Sequence, residues 1–123
     1  MPRSKGSAAA APCFVDDQGG AFAALAAGIA RARGQAGALA ATTSPAVAVP
    51  AEIGVVLGEI AATIPEVALA SSVRGAAERI DVGGWGLTLH EGEGDLERLS
   101  AARIARDRIE RRFELGGSHD GGP

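Results

Sequence analysis

The sequence predicts an all-α protein, a helical hairpin with a third C-terminal helix, and three stripes of apolar residues predict it. Phe22, Leu25, Ile29, Ala32, Ala36 and Leu39 recur at three- and four-residue steps. Ile53, Val56, Leu57, Ile60, Ile64 and Val67 repeat the pattern and extend it more weakly through Val73, Ala77 and Ile80. Leu96, Leu99, Ala102, Ala105, Ile109 and Phe113 form the third stripe. At 123 residues the chain fits one small domain.

Residues 1–19 mix Ser, Gly, Pro and Ala without a period and read as a disordered leader. Arg3 and Lys5 are followed by only Ala8 to Ala11 before Pro12, too short an apolar run for a secretion signal. Pro12 also rules out a lipoprotein role for Cys13. The first helix follows, with Arg31 and Gln35 on its polar side. Asp16 and Asp17 stand just before it, where carboxylates accept unpaired amide hydrogens and favour the helix dipole. Thr42, Thr43, Ser44 and Pro45 end it.

The second helical segment opens at Pro50, which lacks the amide hydrogen that a first turn leaves unpaired. Pro65 should bend or split it. Over 81–94, Gly83, Gly84, Gly86, Gly92 and Gly94 surround Trp85, Leu87 and Leu89, a pattern open to a short hairpin or a weak helical continuation. Asp95 is an N-cap for the third helix, Gly116 and Gly117 close it, and Ser118 to Pro123 read as a disordered tail. The organisation is a leader at 1–19, a single helical domain at 20–115 and a tail at 116–123.

Glycine at 28, 34, 37, 54, 58 and 75 lies within these expected helices, at about 1 kcal/mol each relative to Ala. Close helix packing is the expected compensation, with Gly54 and Gly58 on one face beside the aliphatic stripe. The packing partner is the first helix, a second copy or another protein.

The charge is −3 overall, which argues against a constitutive nucleic-acid or anionic-membrane binder. One Trp, three Phe and no Tyr leave little to line a large ligand pocket or to stack on bases. The single Cys13 excludes a disulfide framework. Glu59 and Glu66 interrupt the longest apolar window, so no membrane span is expected.

His90, Glu91, Glu93 and Asp95 alternate like the start of a calcium loop, but Ala102 stands where the bidentate Glu belongs. His90 and His119 have no third ligand at zinc spacing, and Cys13 has no base to activate it. Neither a phosphate-cradling loop nor a Gly-x-Gly-x-x-Gly motif occurs. No catalytic residue, cofactor, metal or small-molecule substrate is therefore expected. Arg98, Arg103, Arg106, Arg108, Arg111 and Arg112 on the third helix are nearly balanced by Asp95, Glu97, Asp107, Glu110 and Glu114. The expected pairs are Asp107–Arg111 and Glu110–Arg106. A nucleic-acid-associated regulator acting through that helix is the alternative to the main reading.

The Ala-rich first helix, the Thr/Ser/Pro turn and the longer second arm resemble the small actinobacterial type VII (ESX) secretion proteins of the WXG100 and EspC-like kind, over about Asp17 to Arg108. The family's Trp-x-Gly lies in its hairpin turn, whereas here Trp85 is followed directly by Gly86. Its Tyr-based export signal has no counterpart. The resemblance implies pairing with another small helical protein or with itself as a dimer, and a location in the cytoplasm or outside it by a route without a signal peptide. The main reading is thus a protein–protein interaction module, not an enzyme. Phe22, Leu25, Ile29, Leu39, Ile53, Leu57, Ile60, Ile64 and Trp85 are its expected partner-binding residues.

Overall fold

Cys13–Asp16 forms a buried β-strand, β1, in the structure, a computed structural model that describes residues 11–73, 78–88 and 94–121, with side chains to Leu115. The elements that follow are helix α1 (Ala21–Ala32), strand β2 (Leu39–Thr42), helix α2 (Ala51–Gly58) and strand β3 (Val67–Leu69). A 3-10 turn at Ala70–Ser72, strand β4 (Arg79–Asp81), a second 3-10 turn at Val82–Trp85 and helix α3 (Asp95–Gly121) complete the chain. The four strands form one parallel sheet in the order β3-β2-β1-β4.

The all-α expectation is therefore corrected to α/β, and with it the helical hairpin. The expected first helix stops at Ala32, because Gly34 takes a left-handed backbone at φ 107. Leu39, expected on that helix, begins β2 and pairs with Cys13. The second expected helix ends at Gly58, and Ile60 and Ile64 lie beyond it. Val67 and Ile80, read as its continuation, belong to β3 and β4. The chain is not the two-armed hairpin of the WXG100 kind, so the type VII secretion reading falls with that architecture. Within 81–94 the described residues show the end of β4 at Asp81 and a 3-10 turn at Val82–Trp85. Leu89, His90, Glu91 and Glu93 lie outside the described residues, as does Gly75. Helix α3 runs to Gly121, past Gly116 and Gly117.

Each strand is three or four residues long, and their side chains divide between two faces. Phe14, Ala40, Val67 and Ile80 join the main core with α1, α2 and α3. Cys13, Val15 and Ala41 face the other way and are covered by Ala70 and Val73. Ala70 and Val73, just past β3, thus cover one face while the helices cover the opposite one, as buried parallel strands require.

Helix α1 lies directly on β1 and β2, and Ala21 through Ala30 are buried. Its alanines are the reason the layers fit. A Cβ on Gly28 would come 2.8 Å from a methyl of Leu57, so glycine permits the close approach of α1 and α2. The expected small-residue contact through Gly54 and Gly58 is not what brings helices together. Gly54 faces Ile64, and Gly58 faces open space.

Helix α3 crosses both of the others and is tied down at two places. Glu59, just past the end of α2, accepts hydrogen bonds from Arg103 Nη2 at 2.6 Å and Arg106 Nη1 at 2.7 Å. Arg106 also donates to the carbonyl of Val56 at 3.0 Å, satisfying an end group of α2. The two arginines, Arg103 foremost, hold the Glu59 carboxyl at about 2, well below its usual range. Farther along, Phe113 meets Phe14 and Trp85 at ring separations of 5.7 and 6.1 Å, and Arg112 lies over the Trp85 ring.

Candidate functional site

Open parallel sheets bind ligands outside the carboxyl ends of their strands, where the first strand-to-helix loop presents amide hydrogens to an anion. Here that loop is Asp17 to Gly20, and two of its amides, with two more from the first turn of α1, are taken by one side chain. Asp16, 1 % exposed at the end of β1, accepts from Gln18 N at 3.0 Å and Gly20 N at 2.9 Å through Oδ1. Its Oδ2 accepts from Phe22 N and Ala23 N, both at 2.9 Å. One carboxylate thus fills the place that a phosphate occupies in nucleotide-binding members of this architecture. The loop is also pressed onto the sheet. Gly20 has φ 100, and a Cβ there would lie 2.4 Å from Val67 Cγ1.

Beside this plug the ends of β2 and β3 frame an open cleft of about 260 Å³, lined by Thr42, Thr43, Ser44, Pro45, Leu69, Ala70 and Ser71. Its two threonines are committed to the fold, since both hydroxyls donate to the Asp16 carbonyl, at 3.1 and 3.3 Å. On the opposite sheet face Cys13 is 3 % exposed beside Arg79 and a cavity of about 80 Å³. Burial raises the thiol's pKa, against a smaller lowering by the Arg79 charge. That environment keeps the sulfur protonated and a poor nucleophile. Among the described residues no group of three or more His, Cys, Asp or Glu is placed to hold a metal ion.

The residues expected to meet a partner are mostly used by the protein's own core. Phe22, Leu25, Ile29, Ile53 and Leu57 are 5 % exposed or less. Ile60 and Trp85 are half-buried against the same core, while Leu39 and Ile64 are exposed singly. The largest exposed aliphatic side chains lie elsewhere, on α3. Ala102, Ala105 and Ile109 turn inward and are buried, whereas Leu96, Ile104 and Leu115 are 77 %, 56 % and 65 % exposed. At 100° per residue these three fall within about 100° of one another, on the side away from the core. Leu96 was expected in the inward stripe. The spacing of Ile104 and Leu115, three turns apart, was the overlooked signal of a second stripe.

The charges of α3 divide in the same way. Arg103 and Arg106 are held by Glu59, Arg98 pairs with Asp95, and Arg112 covers Trp85. Arg108 and Arg111, exposed beside Ile104, form no ion pair among the described residues. The expected Asp107–Arg111 pair is thus not formed, Asp107 lying 3.7 Å from Arg106 instead, and Glu110 stands 4.0 Å from Arg106. No helix of the described residues is long and apolar enough to cross a membrane. No protein-family model and no curated protein matches the chain.

Proposed function

We propose that this protein is a protein-docking module whose working surface is the outward side of α3. The observation that carries the reading is the exposed line of Leu96, Ile104 and Leu115 on a helix whose inward side is already packed. Scattered surface leucines are ordinary, but large aliphatics gathered on one side of a helix and rimmed by Asp107, Arg108 and Arg111 have the composition of an interface. The self-filled loop at Asp16 and the protonated Cys13 favour docking over catalysis. The commitment of Arg98, Arg103, Arg106 and Arg112 within the chain favours a protein surface over a phosphate backbone, which needs many free cations.

A photoreactive amino acid placed at Ile104, with Ala46 as the exposed control site, tests the reading in cells of the native host. Covalent adducts at position 104 and none at 46 are expected. Adducts at neither position would sink it, and the mass of an adduct separates a second copy of the chain from a different protein.

A further inference from the structure

We draw no further inference here: the strongest candidate, the open cleft at the carboxyl ends of β2 and β3, belongs to the site already described, and its two threonine hydroxyls are both spent on the Asp16 carbonyl.

Discussion

Replacing Asp16 by Asn exchanges one carboxylate oxygen for an amide nitrogen, and the structure sets the cost. Four backbone amides converge on this side chain at 2.9–3.0 Å, two on each oxygen. Asn has one acceptor to offer and so satisfies one pair. The cheaper choice keeps Phe22 and Ala23 at the start of α1 and abandons Gln18 and Gly20, since the Gln18 amide is only partly buried. Each abandoned buried donor costs about 1–3 kcal/mol, and the lost charge at the helix N-terminus adds roughly 0.5 kcal/mol. The expected loss is about 2–4 kcal/mol, a large share of a small domain's stability. Urea unfolding followed by Trp85 fluorescence reads it well, because the only Trp packs between Phe14 and Phe113. Asp17→Asn, at the exposed neighbour, should change stability by less than about 0.5 kcal/mol. Equal, small effects of the two substitutions would refute the closed loop.

Three further outcomes follow from the same geometry. Glu59 is held at about 2 against an ordinary 4.5, so its contribution to stability is fully present above pH 4.5 and fades as pH falls toward 2. Glu59→Gln should flatten that part of the acid limb in urea midpoints taken from pH 6 to 2. Ala61 is the one non-glycine with positive φ among the described residues, at 59°, and is exposed. Ala61→Gly should therefore stabilise the protein by about 0.5–1 kcal/mol, read as a raised melting temperature. Gly20→Ala and Gly58→Ala should act with opposite signs. The first meets Val67 and a strained φ at a cost of about 3 kcal/mol, while the second gains up to about 1 kcal/mol of helix propensity in open space. Both are measured by the same urea titration.

The starts of the helices were legible in the sequence; the ends of the first two and all the strands were not. The Phe22, Leu25, Ile29 spacing locates α1, Pro50 immediately precedes α2, and Asp95 begins α3. The capping role read for the carboxylates before the first helix is performed by Asp16. The strands escaped because Cys13-Phe14-Val15-Asp16 and Leu39-Ala40-Ala41-Thr42 are too short for a period of two to emerge. Their burial on both faces also removes the polar alternation that marks a half-exposed strand. Alanine compounded the difficulty, since it suits helix by propensity yet fills β2 here, Ala40 under the close α1 layer and Ala41 on the opposite face beneath Ala70 and Val73. Val67 and Ile80 fell on helical spacing by coincidence of number. The outward stripe of α3 was hidden for another reason: Leu96 fitted the inward rhythm as well as the outward one, and only the packed direction of Ile109 and Ala105 decides between them.

The central claim is that α3 has a packed side and a working side. Methyl NMR of the full chain at low concentration with a soluble paramagnetic probe tests it directly. The account predicts strong broadening of the Leu96, Ile104 and Leu115 methyls, with those of Ile53, Leu57 and Ile109 spared. Equal broadening of Ile104 and Ile109 would contradict it, because a helix with two equally wet sides is not docked on α1 and α2.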